Sequence, residues 1–367
     1  MRVLHVITAL AEGGAEHQLR LLVRRLPHDC EVVTLSRPGA VAAAMRADGT
    51  TVHEVVAGRG HNLATVVRLR RLIRRGRFDV VHTHRYRAGA QGRVAARLAG
   101  VPRVVATEYS LGEGVIDGRR TAPGVRARYL AGERLGRITI AVSQAIAGRL
   151  CACGVPPERI TVIPKAIDAT EFRYDPTLRA AARGRLGIAP DVPVVGSVGA
   201  LAPGKRFDLL IRAVGEVPGA TLLLVGDGAA RPALERLAVI EGVADRVLFA
   251  GAVGHAREML CAMDVFASPA DRDTFGLVVL EALAAGLPTL YATCPPLEEL
   301  AHAHAAVEGS YRLSPRDPES LPRALRTELL SFAERHGARL PARSASSRYD
   351  ATEMAAAVGK VYEELSG

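Results

Sequence analysis

The residues best suited to chemistry lie in one short stretch, Asp273-Thr-Phe-Gly-Leu-Val-Val-Leu-Glu281. Leu277, Leu280, Leu283 and Ala284 recur there at helical spacing, and Gly286 and Pro288 end the run. An extended segment, Asp264 to Pro269, precedes it. The amides of Phe275, Gly276 and Leu277 are then expected to be the unpaired donors of a helix N-terminus, a place suited to phosphate. Glu281, about one turn further in, can accept hydrogen bonds from two vicinal hydroxyls, as on a ribose. Asp273, with Thr274 beside it, falls where a sugar hanging from that phosphate would be.

Four other segments carry candidate groups. Gly13 and Gly14, in Ala11-Glu-Gly-Gly-Ala-Glu16, allow backbone amides to approach a phosphate or sugar closely. They do not complete the Gly-x-Gly-x-x-Gly fingerprint of a dinucleotide fold, which places a nicotinamide enzyme last among the readings. His82 and His84 sit two apart at a strand end, on one face, so at least one should point into a cleft. No third metal ligand is evident beside them, and His84 is read as a group that positions an acceptor hydroxyl. A satisfied polar strand end is the plain alternative. Glu108 and Tyr109 close another extended run and are grouped with His84 on the acceptor side, since a phenol can hydrogen-bond a sugar hydroxyl. Lys205, in Gly199-Ala-Leu-Ala-Pro-Gly-Lys-Arg206, is one of only three lysines, with Lys165 and Lys360.

The elements that must position these groups alternate between strand and helix. Strand-like runs are Val3 to Thr8, Glu31 to Leu35, Val52 to Val56, Asp79 to His82, Arg103 to Thr107, Ile138 to Val142 and Ile160 to Ile163. Helical patterns such as Ala15 to Leu26 and Asn62 to Arg75 lie between them. This predicts a parallel sheet covered by helices on both faces, with ligands at the carboxyl ends of the strands. The stretch from Ile163 to Pro176 is polar, breaks the periodicity and reads as an interdomain linker. A second series follows: Val194 to Val198, Thr221 to Val225, Arg246 to Ala250, Asp264 to Ala267 and Thr289 to Ala292. Residues 1–166 and 167–345 are therefore expected to form two Rossmann-like domains, and a final helix runs from about Asp350 to Leu365.

In order and at sensible spacing, the chain resembles the retaining GT-B glycosyltransferases of family 4. The elements that carry the likeness are Gly-Gly-Ala-Glu16, Asp-Val-Val-His82, Ala-Val-Ser143, Val-Ile-Pro164, Lys205, Gly226-Asp-Gly, the Asp273 to Glu281 segment and Gly286-Leu-Pro288. The resemblance implies two α/β domains facing a central cleft, with the last helix, residues 346–367, crossing back to the first. It implies that Lys205 clamps the diphosphate of a nucleotide sugar, and that backbone at Gly226 and Gly251 surrounds the base. It further implies a retaining, metal-independent hexosyl transfer from a UDP-sugar to a saccharide, lipid-linked or natural-product hydroxyl, with Asp273, Lys205 and His84 as the catalytic group. Four positions depart from the family pattern: Tyr109 stands for His, Ala200 for Arg, Asp273 for Glu, and Lys165-Ala166 for Asn-Gly. Arg206 or Arg272 is the expected stand-in for the missing arginine. A catalytically reduced protein that binds a nucleotide sugar or assists a partner transferase is the alternative.

Composition narrows the classes further. At 367 residues and 49% hydrophobic content the chain has room for two cores. It holds no apolar run long enough to span a bilayer, and Met1 to Thr8 reads as a first strand rather than a secretory leader, so a bacterial cytoplasmic protein is expected. The five cysteines form no metal pattern, and Asp271-Arg-Asp273 is read as no metal motif because Lys205 and the helix N-terminus supply positive potential. No cofactor is expected beyond the co-substrate. The net charge of +10 is carried by arginine, most densely between Arg68 and Arg77. That cluster is either a solvated face or a peripheral contact with the inner face of a membrane. No nucleic-acid motif accompanies it.

Overall fold

The computed structural model describes residues 1–11, 13–56, 63–109, 115–116, 119–120, 123–271, 273, 275–303, 309–314, 317, 319–335, 337–340 and 348–366. The chain divides into two compact units, Met1–Ala166 with Ala351–Gly367, and Ile167–Asp350.

The first unit runs β1 (Arg2–Ile7), α1 (Gly14–Val23), β2 (Asp29–Thr34), α2 (Ala40–Ala47), β3 (Thr51–Glu54), α3 (Leu63–Gly76), β4 (Val80–His84), α4 (Tyr86–Ala99) and β5 (Val104–Glu108). A short hairpin of β6 (Val115–Ile116) and β7 (Arg119–Arg120) follows, then α5 (Pro123–Glu133), β8 (Ile138–Ala141), α6 (Gln144–Cys153) and β9 (Ile160–Val162). Seven strands form a parallel sheet in the order β3-β2-β1-β4-β5-β8-β9. The central strands β1, β4 and β5 are apolar-rich and buried on both faces, as helices on either side of a parallel sheet require.

The second unit runs α7 (Pro176–Leu186), β10 (Val194–Val198), α8 (Phe207–Gly215), β11 (Thr221–Val225), α9 (Arg231–Ile240), β12 (Val247–Gly251), α10 (Arg257–Ala262), β13 (Val265–Ser268), α11 (Leu277–Ala284), β14 (Thr289–Tyr291), α12 (Pro295–Ala303), β15 (Ser310–Arg312) and α13 (Ser320–Glu334). Its six strands order as β12-β11-β10-β13-β14-β15. Counted within each sheet, the first follows the order 3-2-1-4-5-6-7 and the second 3-2-1-4-5-6, so both carry the same topological switch point: between β1 and β4 in the first, between β10 and β13 in the second. The fold is GT-B, two Rossmann-like parallel-sheet domains.

The last helix, α14 (Ala351–Glu364), belongs to the first unit. Val358, Val361 and Tyr362 pack with Val3, Leu22, Val80, Val105 and Ile140. Tyr362 is fully buried, and such a ring contributes about 2–3 kcal/mol. The segment read as a linker contains the boundary between the units, at Ala166 and Ile167, and buries Ile163, Ala166, Ile167, Asp168 and Phe172. Within the first unit, Gln18 donates to the Ala166 carbonyl at 2.7 Å and accepts from the Ala166 amide at 2.8 Å. Within the second, the Ile167 amide donates to the Tyr349 carbonyl at 2.8 Å, and the Asp168 carboxylate accepts from the amide and hydroxyl of Thr170. Among the described residues no helix is long and apolar enough to cross a membrane.

Candidate functional site

In the second unit three strand ends meet without side chains between them. The Gly199 amide donates to the Val225 carbonyl at 2.9 Å, and the Gly226 amide donates to the Gly251 carbonyl at 2.8 Å. Gly226 has φ of +137°, and a Cβ on it would fall 1.9 Å from the Gly199 carbonyl oxygen, so no other residue fits. The result is a bare backbone surface at the carboxyl ends of β10, β11 and β12, open to close approach by a flat group.

Lys205 ends a 3-10 turn, Pro203–Lys205, that leads into α8. Its chain passes over Gly199, and its Nζ donates to Asp273 Oδ2 at 2.7 Å. Asp273 Oδ1 accepts from the amides of Phe275, 3.1 Å, and Gly276, 3.0 Å. Burial alone would raise the Asp273 carboxyl. The Lys205 charge and hydrogen bond, with the two amides, outweigh it and hold the group below its ordinary value. Lys205 and Asp273 keep 29% and 14% of their side-chain surface, so a ligand can reach both.

This corrects two expectations. The Phe275 and Gly276 amides are not free for phosphate, because a short acid just before a helix folds back onto the backbone amides two and three residues on. Leu277 opens α11, and no acceptor among the described residues takes its amide. Arg206 does not fill the place left by Ala200. It adopts φ of +52° and turns its guanidinium to Asp208, at 3.1 and 3.3 Å, in the first turn of α8. Thr274 and Arg272 lie outside the described residues.

Glu281 projects from α11 into a largely enclosed position. Burial pushes its carboxyl up to about 7; His255 nearby lowers it, and the Glu171 carboxylate raises it. His255 itself faces Glu171 at 3.5 Å and stacks on Phe172, ring centroids 5.0 Å apart. Sequence reading missed this trio. Only the fold brings residues 171–172, just after the unit boundary, to 255 and 281.

In the first unit, Gly13 precedes α1 in extended conformation, and Gly14 is the first helical residue. A Cβ on Gly13 would fall 2.4 Å from Glu16 Oε2. The buried Glu16 carboxylate pairs with Arg85 at 3.0 Å. Arg85 adopts φ of +71°, uncommon for a residue with a side chain, and caps α4. This ion pair spans the β1–β4 switch point, just as Lys205–Asp273 spans that between β10 and β13.

His84 is not presented to an acceptor. It is fully buried, with Nδ1 on the Tyr109 hydroxyl at 3.1 Å and Nε2 on His5 Nδ1 at 3.0 Å. The strand is central and covered on both faces, so a side chain near its end still points into packing. His82 bonds the hydroxyls of Tyr362, 2.6 Å, and Thr107, 2.7 Å. The sequence showed no third ligand beside these two, yet the fold supplies His5: β1 pairs β4 in parallel, His5 opposite His82, and the three imidazoles cluster within 4.8 Å. Five of their six ring nitrogens are already hydrogen-bonded, and only His5 Nε2 is unpartnered. The cluster is thus a hydrogen-bonded unit rather than an open set of metal ligands. Burial lowers all three, His5 to about 3, so they stay neutral. Glu108 is buried and accepts from the Tyr129 hydroxyl at 3.3 Å, while Tyr109 keeps 7% of its surface. Of residues 111–121, only the paired β6 and β7 fall within the described residues.

Known proteins resemble this chain over both units. A family model described as Glycosyltransferase Family 4 matches residues 12–171, and one described as Glycosyl transferases group 1 matches residues 192–330. The D-inositol 3-phosphate glycosyltransferase of Mycobacteroides abscessus is 31% identical over 271 residues, 67% of this chain and 60% of the relative. That of Mycobacterium tuberculosis is 30% identical over 302 residues, 75% of this chain and 62% of the relative. The chain thus spans about three-fifths of the length of these curated relatives. Among solved structures, HepE of Anabaena in complex with UDP aligns with TM-score 0.81 at 20% identity, over 99% of this chain and 100% of that one. Sucrose-phosphate synthase from Thermosynechococcus elongatus aligns with TM-score 0.75 at 19% identity, over 100% and 99%. At such identities the likeness speaks for the fold.

Proposed function

The chain belongs to the glycosyltransferases of family 4 and group 1, and from that premise we propose that it moves a sugar from a UDP-sugar to an acceptor hydroxyl with retention of configuration. The observation that carries the reading is the meeting of Lys205, Asp273 and the α11 N-terminus at the second unit's switch point.

In this reading Lys205 and the Leu277 amide hold the diphosphate, the bare backbone at Gly226 and Gly251 accepts the base, and Glu281 binds the ribose hydroxyls. Asp273 gives up the Gly276 amide to the incoming phosphate and turns to the sugar hydroxyls. The acceptor oxygen bonds to the anomeric carbon on the face from which the diphosphate leaves. The bond to the diphosphate breaks, and the acceptor proton passes to the departing phosphate oxygen. Cations and oriented amides serve this step because the leaving group gains negative charge as the bond breaks. No metal is needed for that role. UDP as the nucleotide is supported by the solved relatives with UDP and UDP-glucose. The acceptor is a saccharide, lipid-linked or natural-product hydroxyl on the cytoplasmic side. The curated relatives make a phosphorylated inositol the first compound to try.

A second reading has its own observation. Ala200 leaves one cation missing and Arg206 is held by Asp208, so a protein that binds nucleotide sugar without transferring it is the competitor. Calorimetry with UDP, GDP and ADP, with and without Mg²⁺, tests the binding half. One nucleotide should bind without metal, and Lys205→Ala should abolish it. Binding without sugar release against any acceptor would favour the competitor, and no binding at all would overturn both.

A further inference from the structure

We infer that the outward face of α3 docks on an anionic lipid surface. The helix buries Thr65, Leu69 and Ile73, one stripe at i, i+4, i+8, and Val66 and Leu72 pack beside it against the core of the first unit. The opposite face is arginine. Arg68, Arg71, Arg74, Arg75 and the adjoining Arg77 are exposed, and Arg70 lies on the flank with its Nε on the Leu98 carbonyl at 2.9 Å. No acidic residue stands in the sequence between Glu54 and Asp79. Among the described residues no carboxylate pairs with Arg68, Arg71, Arg74, Arg75 or Arg77.

This arrangement costs the fold something it does not need. Arg71 with Arg74 and Arg75 makes like-charge neighbours at i+3 and i+4, which weaken a helix. Arg74 and Arg75 in the last turn do complement the helix dipole, but Arg68 and Arg71, further back, do not. Two exposed leucines adjoin the basic face: Leu63, 76% exposed, on the Arg70 and Arg74 side of the helix, and Leu98, 56% exposed, beside Arg70. Unpaired arginine with apolar residues at its edge fits the headgroup zone of a bilayer, where phosphates meet acyl chains. A nucleic acid fits less well, since residues 63–77 contain no aromatic side chain on which bases could stack. Docking also places the transferase beside a lipid-linked acceptor, but vesicle binding requires no nucleotide, so the two readings fail separately.

The test is sedimentation of the full chain with vesicles of phosphatidylglycerol and phosphatidylcholine, against pure phosphatidylcholine. Binding is expected only to the anionic vesicles and should fall steeply with salt. Each arginine near such a surface accounts for about a fivefold change in partitioning. Arg71→Gln/Arg74→Gln/Arg75→Gln should therefore bind roughly a hundredfold more weakly. The charge-matched triple Arg236→Gln/Arg323→Gln/Arg326→Gln on the second unit should change binding less than about threefold, because those side chains lie outside the docking face. Circular dichroism checks folding, and the single Arg71→Gln, about fivefold weaker, serves if the triple does not fold. Equal losses in both triples, no binding to anionic vesicles, or tighter binding to single-stranded RNA at equal phosphate would each overturn the inference.

Discussion

The two units share a strand order and close their switch points with the same device, one acid and one base, yet they use it oppositely. In the first, Glu16 is buried and its partner Arg85 keeps 47% of its side-chain surface. Behind the pair, His5, His84 and Tyr109 bond one another in a chain, and His82 bonds Tyr362 and Thr107, all inside the packing. In the second, cation and acid are both part-exposed, and the acid also accepts from the Phe275 and Gly276 amides just ahead of α11. A ligand phosphate there can replace one carboxylate oxygen and meet a lysine and amides already aimed at it. The same topology therefore yields one interior network, which stabilises, and one set of exchangeable charges at a rim, which can bind.

The sharpest way to break that contrast is at the charges. Lys205→Ala should weaken nucleoside diphosphate binding by about 3 kcal/mol, over a hundredfold, while Arg85→Ala should leave it within threefold. Equal losses in calorimetry would show that the two switch points are not specialised. Next in size is acid sensitivity. Burial holds the three histidines below their ordinary pKa, so below about 6.5 the unfolded chain binds protons that the folded chain refuses. Stability is full above that pH and falls as pH drops, by up to about 1.4 kcal/mol per unit for each histidine. Urea titrations from pH 7.5 to 4.5 should show the loss, and His5→Phe should reduce it.

Asp273→Asn separates the local turn from binding. It should cost about 1 kcal/mol of stability, since asparagine still accepts from the Phe275 and Gly276 amides but cannot pair with Lys205. It should leave UDP affinity unchanged or higher while transfer falls at least tenfold. A parallel fall in UDP affinity would mean that the carboxylate does not vacate the phosphate position. An effect of similar size, confined to high pH, lies at Glu281. A carboxyl raised to about 7 favours the fold at pH 4.5 and withdraws that contribution as pH climbs through 7. Glu281→Gln should therefore gain about 1–2 kcal/mol at pH 8 and nothing near pH 4. If the ribose assignment holds, it should also weaken UDP binding.

Strongly apolar strands were legible in advance, and each of β1 to β5, β8 and β9 falls on a run read from the residues. The edge strand β15, Ser310–Arg312, was not, because one half-exposed and two exposed residues carry no alternation. Histidine 5 looked like part of an ordinary first strand. Its partnership with His84, 79 residues away, exists only because β1 and β4 pair in parallel at one register. Local chemistry was partly legible: an acid before a helix start marks Asp273, but its spacing alone does not say whether it binds sugar or caps its own amides.

The residues by themselves determined the alternating elements, the glycine turns at strand ends and the identity of the charged groups, because propensity and periodicity act over a few residues. Tertiary structure alone decided which of those groups are spent on each other. Ion pairs and buried hydrogen bonds depend on distances of about 3 Å between positions tens of residues apart, and only the register of a packed sheet fixes those.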